Sequence, residues 1–237
     1  MDLRSEQKAE RRERILESAR GMIGKRGYDA LTMRDLARSA RVTVPTIYNL
    51  IGGKEAVLFA AIEEQTAQFL VSIDRAQRSS PASHALSVVE SCTTELLRMP
   101  DYYRTLLAIL LGFPAARAMR VLVDRALTGE FERALEAMRG AGELASWADP
   151  QTLARSLGSQ LEYTSMRWAS GELDAEALRS AAVYGVGLML LGVSEGSSRQ
   201  ELQLRVGRAQ DRVARRSSPS RGASVEGVGR GEEAHRG

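Results

Sequence analysis

Apolar positions along this chain recur every three and four residues, and no segment alternates apolar with polar for long enough to suggest a strand. Ile15, Leu16, Ala19, Met22 and Ile23 follow that spacing with Arg and Glu between them, which predicts a helix over 6–26 ended by Gly27. Thr32-Met33-Arg34-Asp35 places a hydroxyl three residues before an acid, the arrangement of a capping box, and starts a short helix to about Ser39. A turn at Ala40-Arg41-Val42 leads to Thr43, which can cap a second short helix over 44–51 with Pro45 in its first turn. Gly52-Gly53 interrupts the chain, and Lys54 opens a long helix striped by Val57, Leu58, Ala61, Ile62, Phe69, Leu70 and Ile73.

Beyond Ser79-Ser80-Pro81 the spacing predicts helices near 83–98, 101–111, 115–140, 150–170 and 174–192. Asp149-Pro150 and Asp174 supply caps, and Gly171 a stop. From Glu195 onward Ser, Gly and Arg dominate. Residues 195–237 are therefore expected as a largely disordered tail: a polar, Arg-rich helix over 199–216 stays open, and 217–237 bury too little to offset chain entropy. The expected fold class is all-α, with an N-terminal three-helix unit (1–54), a helical bundle (55–194) and the tail (195–237).

Two short helices joined by a three- or four-residue turn make a helix-turn-helix, whose second helix lies in the major groove of DNA. Leu36, Ala37, Val42, Ile47 and Leu50 can form its small core, leaving Val44, Thr46, Tyr48 and Asn49 on an outward face. Thr32, Thr43 and Lys54 stand at helix starts, where free N–H groups and the positive dipole end suit a phosphate. Charge points the same way. The first 54 residues hold 12 Lys and Arg against 7 Asp and Glu, and the other 183 hold 21 against 23, so a basic head sits on a nearly neutral body.

The run Ile15-Leu16-Glu17-Ser18-Ala19, then Lys25 to Ala37, Val42 to Tyr48 and Gly53 to Val57, resembles the DNA-binding domain of the tetracycline-repressor (TetR) family over about residues 10–60. The resemblance implies a homodimer that binds a palindromic double-stranded operator, most often as a repressor, and answers a small-molecule effector. It implies phosphate contacts for Thr32, Thr43 and Lys54, a phosphate or thymine-methyl contact for Tyr48, base edges for Val44, Pro45 and Thr46, and phosphate or base for Asn49. Departures from the family pattern are Arg41 where a turn glycine is usual, Ile51 for an aromatic, and Gly53 for a polar cap. A left-handed Arg41 costs about 1 kcal/mol and adds a charge beside the DNA.

The same resemblance implies an effector cavity among the middle helices and dimerisation through the last two core helices. Candidate cavity residues are Leu96, Tyr102, Tyr103, Leu106, Leu110, Phe113, Met119, Met138 and Tyr163, mostly apolar, which suggests an apolar or amphipathic effector. Candidate dimer residues are Leu153, Leu157, Leu161, Thr164 and Trp168 on one stripe, and Leu178, Ala181, Ala182, Gly185, Leu188 and Met189 on the next. Such stripes serve equally as an ordinary core. An Arg-rich tail could add nonspecific DNA affinity or be a solvated extension.

Other classes fit less well. His occurs only at 84 and 235 and Cys only at 92, so there is no zinc-ligand spacing, no disulfide and no paired nucleophile and base. Gly185-Val186-Gly187 follows no strand and is no dinucleotide loop. No cofactor or metal is expected, and no enzyme. The N-terminal MDLRSEQKAERRER has no apolar signal core, and the longest apolar run, Val183 to Val193, is short for a bilayer, so a cytoplasmic protein without membrane contact is expected. A helical adaptor would not need the basic head. A TetR-like regulator without ligand response, or an activator, remains the alternative.

Overall fold

A computed structural model describes residues 3–74, 80–112 and 116–217. They form α1 (Leu3–Arg26), α2 (Met33–Ala40), α3 (Val44–Leu50), α4 (Lys54–Asp74), α5 (Pro81–Arg98), α6 (Pro100–Gly112), α7 (Arg117–Gly140), α8 (Pro150–Ala169), α9 (Ala175–Val193) and α10 (Gly196–Ser217). The single bridge among the described residues, Leu144 to Ser194, ties the α7–α8 connection to the end of α9. Side-chain caps start α2, α3, α5, α8 and α9 from Thr32, Thr43, Ser80, Asp149 and Asp174. Each accepts a backbone N–H that the first helical turn cannot satisfy.

Two apolar cores run through the helices. The first gathers Ile15, Leu16 and Ile23 of α1, Leu36 of α2, Ile47 of α3, and Val57, Leu58 and Ile62 of α4, then continues to Tyr102 and Leu106 of α6, Trp168 of α8 and Leu178 of α9. The N-terminal head thus shares its core with the body, with no gap in packing at residue 54. The side chains of Phe69, Leu70 and Ile73 lie outside the described set. The second core lies toward the opposite ends of the long helices and holds Leu86 and Val89 of α5, Phe131 and Leu135 of α7, Leu157 of α8, Val186 and Leu190 of α9, and Leu202 of α10.

Three expectations change. The tail does not begin at 195: α10 buries Leu202, Val206 and Ala209, and Val206 fills the space a Cβ would take at Gly187. Three apolar residues at four- and three-residue spacing are enough to hold an otherwise polar, Arg-rich helix to α9 and α5. The disorder expected further along, over 218–237, falls outside the described residues. Second, the helix over Ala175–Val193 is long and apolar enough by length and composition to cross a membrane, although the sequence reading found no segment of that length. Its Leu178, Ala182, Val186 and Leu190 are buried in the protein's own core. Third, α1 starts at Leu3, three residues before the expected start at 6.

Candidate nucleic-acid interface and internal cavity

The head is assembled by its caps. Thr32 Oγ1 accepts the Asp35 N–H at 3.1 Å and donates back to the Asp35 carboxylate at 2.8 Å, while Arg38 holds the other carboxylate oxygen at 3.0 Å. Arg41 ends α2 at φ 55°, ψ 47°, and is the one left-handed residue other than glycine among those described. Val42 N–H then returns to the Ala37 carbonyl at 2.9 Å, closing the tight turn that sets α3 against α2. Thr43 accepts the Thr46 N–H at 3.3 Å, and its hydroxyl also bonds the Thr46 hydroxyl at 2.8 Å.

Ile47 is buried against α1 and α2, and Leu50 packs at its edge, so the opposite side of α3 is left to solvent. Thr43, Pro45 and Asn49 are exposed there and Thr46 is half-buried. Tyr48, an aromatic residue, is 55% exposed. Val44 departs from the outward face read from sequence. It is half-buried and packs on the first core, because the first turn of α3 lies close against its neighbours. Lys54 stands at the start of α4, where its ammonium donates to the Asp29 carbonyl at 3.0 Å and lies 4.5 Å from the Tyr28 ring centre. Burial, and after it the carboxylates of Glu55 and Asp29, push the Tyr28 phenol upward, so a neutral ring faces the lysine. The lysine is therefore anchored to the α1–α2 loop, with its remaining N–H groups available outward. Exposed Thr32, Arg41, Thr43, Pro45, Tyr48 and Asn49 accompany it on the head.

Behind the head, α4 to α8 form a partly open cavity of about 140 Å³. Ile62, Gln65 and Thr66 of α4 form one wall, Cys92, Glu95 and Leu96 of α5 the next, and Tyr103, Leu106 and Leu110 of α6 a third. Val123, Asp124 and Leu127 of α7, with Leu161, Ser165 and Met166 of α8, complete it. Gly158 lets α8 approach α7, since a Cβ there would sit 3.3 Å from Thr128 Oγ1. Leu96, Tyr103, Leu106 and Leu110 are the four expected cavity residues that line it. Tyr102 instead packs edge-on against Tyr103 and close to Gly24 of α1, Met138 belongs to the second core, and Tyr163 points to solvent. Phe113 lies outside the described residues, as does the Met119 side chain.

The cavity's polar centre was not anticipated from sequence. Glu95 accepts Gln65 Nε2 at 2.7 Å, Tyr103 Oη at 2.5 Å, and Arg98 Nε and Nη2 at 2.9 and 2.8 Å. Burial alone would push the Glu95 carboxyl upward, but the bonds from Arg98, Tyr103 and Gln65 and the Arg98 charge outweigh it and hold the group below the usual carboxylate range. Burial, then the Glu95 hydrogen bond, pushes Tyr103 upward, which keeps it a donor. The neighbouring Cys92 thiol is pushed up to about 12, chiefly by burial, and is an inert part of the wall. A carboxylate inside an apolar stretch of helix gives no periodic signal, and only the fold shows that Gln65 and Tyr103 meet it.

The stripes expected to meet a second subunit are mostly spent within one chain. Leu157, Leu161, Thr164 and Trp168 of α8, and Leu178 and Ala182 of α9, are buried, and Leu161 lines the cavity. Arg104 lies 5.0 Å over the Trp168 ring. Leu153, Ala181, Gly185 and Met189 are half-buried, and Leu188 is exposed. The largest apolar side chains turn toward their own core because one chain already supplies partners for them. The solvent face of α8 is rotated to Ser156, Ser159 and Tyr163. It adjoins the outer face of α9, where the Gln160 side chain fills the space a Cβ would need at Gly185.

Known proteins match the two halves differently. A family model described as bacterial regulatory proteins, tetR family, matches residues 15–61, which run from α1 into α4. The transcriptional repressor KstR of Mycolicibacterium smegmatis is 36% identical over 75 residues, 32% of this chain and 37% of that protein. KstR of Rhodococcus jostii is 30% identical over 97 residues, 41% of this chain and 44% of its own length. The chain thus spans less than half the length of these curated relatives. Likeness of fold extends further. A putative TetR-family regulator from a Rhodococcus species superposes with a TM-score of 0.67 over 77% of this chain and 99% of its own, at 22% identity. The repressor FadR of Thermus thermophilus, solved in complex with lauroyl-CoA, gives 0.61 over 78% and 97%, at 24% identity.

Proposed function

We propose that the chain is a member of the tetR family of bacterial regulatory proteins and, as such, a cytoplasmic, homodimeric transcription regulator. In this reading it represses from a palindromic operator and is released by a small, mostly apolar effector. The single observation that carries the proposal is the solvent side of α3: a helix pinned from behind by Ile47 and capped by Thr43, presenting Pro45, Thr46, Tyr48 and Asn49 on a basic head.

In this reading Pro45 and Thr46 meet base edges. Thr32, Arg41, Thr43 and Lys54 meet phosphates beside three helix starts, and Tyr48 and Asn49 bridge the two kinds of contact. Few of the α3 groups hydrogen-bond bases, so DNA shape carries much of the specificity. Two copies join through the solvent faces of α8 and α9, around Ser156, Ser159, Gln160, Tyr163 and Leu188, as a four-helix interface.

Helix α4 links the two sites. Its Lys54 end lies in the head and its Gln65 wall lies in the cavity, about 16 Å apart along the axis. A ligand that prefers a shifted α4 changes the spacing of the two heads and draws the population away from the DNA-competent state. The test is fluorescence anisotropy on duplexes tiling the region upstream of the chain's own coding sequence. Salt-sensitive binding that Tyr48→Ala and Asn49→Ala weaken, with melting temperatures unchanged, is the expected result; salt-insensitive or absent binding to every duplex would overturn it.

A further inference from the structure

Around Glu95 most hydrogen-bond donors of the cavity are already taken, while Arg120, the cation of the lining, is exposed. Its Thr66 hydroxyl donates to the Ile62 carbonyl at 2.9 Å and its Ser165 hydroxyl to the Leu161 carbonyl at 2.8 Å. Tyr103 and Gln65 both donate to Glu95. Glu95 already accepts four hydrogen bonds, three of them on Oε1. What is left for an occupant is mainly lone pairs on Glu95 Oε2, the Gln65 amide oxygen and three hydroxyl oxygens, with the second Gln65 N–H as a donor.

Formal charge adds to this. Among the lining residues described, Glu95, Asp124 and Glu162 oppose the single cation Arg120. Arg98 neutralises part of the Glu95 charge, but it does so from outside the lining, with its side chain 54% exposed against 19% for Glu95. The remaining wall is aliphatic, from Ile62, Leu96, Leu106, Leu110 and Leu161. A volume near 140 Å³ matches a single ring, since a dry cavity of about 150 Å³ accepts benzene, and the partly open side leaves room for a short arm.

We propose that the effector of this site is a small apolar amine: a single-ring or branched hydrocarbon body carrying a protonated nitrogen that donates into the acceptors around Glu95. The proposal rests on the reading of this cavity as the effector site. A carboxylate or phosphate ligand seated at the Glu95 end would bring its charge against a half-buried carboxylate that already has its partners, and an anion buried there without a partner is strongly unfavourable. A neutral alcohol fits the shape but gives up the charge-assisted hydrogen bond. The acyl thioester held by the T. thermophilus neighbour would find one lining cation here, Arg120, among the described residues.

The probes are three molecules of one shape: 2-phenylethylamine, 2-phenylethanol and 3-phenylpropionate. Each is titrated into the full-length protein by calorimetry and followed by thermal melting. The expected order is amine first, by about tenfold or more over the alcohol, with no measurable binding of the anion. Glu95→Gln should erase the preference for the amine. Should that variant fail to melt cooperatively, the rim pair Asp124→Asn with Glu162→Gln decides, and a smaller amine preference is expected there. Binding of 3-phenylpropionate equal to or tighter than the amine overturns the proposal. So does binding of none of the three, or an amine preference that survives every variant. Release from DNA by an acyl anion or acyl-CoA, and not by the amine, would also overturn it while leaving effector-controlled regulation standing. Salt-sensitive DNA binding is measured without any of these compounds, so its failure is distinguishable.

Discussion

The head and the α8–α9 pair are built from similar amphipathic helices, yet one declares its role in sequence and the other does not. In the head every surface residue of interest is tied to a local device: a capping hydroxyl, a turn of fixed length, a proline at a helix start. Such devices act over three or four residues and so appear in the order of the chain. In α8 and α9 the question is which of two apolar faces turns inward. The spacing of Leu153, Leu157, Leu161, Thr164 and Trp168 is the same whether the partner is α6 and α7 of one chain or a second subunit. The structure turns most of that stripe inward and leaves Tyr163 and Leu188 outside, 56% and 42% exposed.

Substitutions can break or sharpen this contrast. The largest effect is expected at Leu157. Leu157→Ala should destabilise the fold itself by about 2–5 kcal/mol, read by chemical denaturation, because the side chain is fully buried in the second core. Loss of dimerisation with folding stability intact would restore its role as an interface residue. Leu188→Asp should do the opposite and dissociate the dimer, read by sedimentation velocity, with secondary structure unchanged. A dimer that tolerates both Leu188→Asp and Tyr163→Asp would move the interface elsewhere.

Smaller changes probe the head. Thr43→Ala removes the α3 cap and should cost about 1 kcal/mol of stability, with a further loss of DNA affinity if this helix start grips a phosphate. Arg41→Gly should have the smallest effect on stability and the opposite sign. Relief of the left-handed arginine at φ 55° stabilises by up to about 1 kcal/mol. Removal of its charge should also flatten the slope of log affinity against log salt by about one. An unchanged slope would place Arg41 away from the backbone.

Much of the fold was legible before any coordinates, because Gly27, Pro45, Asp149-Pro150 and Asp174 punctuate a chain with one dominant period. The docking of α10 was not, since three buried residues among six arginines look like a solvated helix until Gly187 offers Val206 a place to sit. Within the head, Val44 packs on the core as a first-turn residue, and Thr46 and Lys54 are half-buried beside the exposed contacts. The cavity was half legible. Leu96, Tyr103, Leu106 and Leu110 were among the residues expected around the cavity that the family resemblance implies, but Glu95 and its meeting with Gln65 and Tyr103 come from tertiary packing alone.

The claim that everything else depends on is that two copies of α3 enter successive major grooves on one side of a duplex. Hydroxyl-radical footprinting of the bound upstream region tests it most directly. Two protected half-sites related by two-fold symmetry, with centres about 10–11 base pairs apart or a multiple of that, are predicted. A single asymmetric patch, or uniform protection without half-sites, would contradict it.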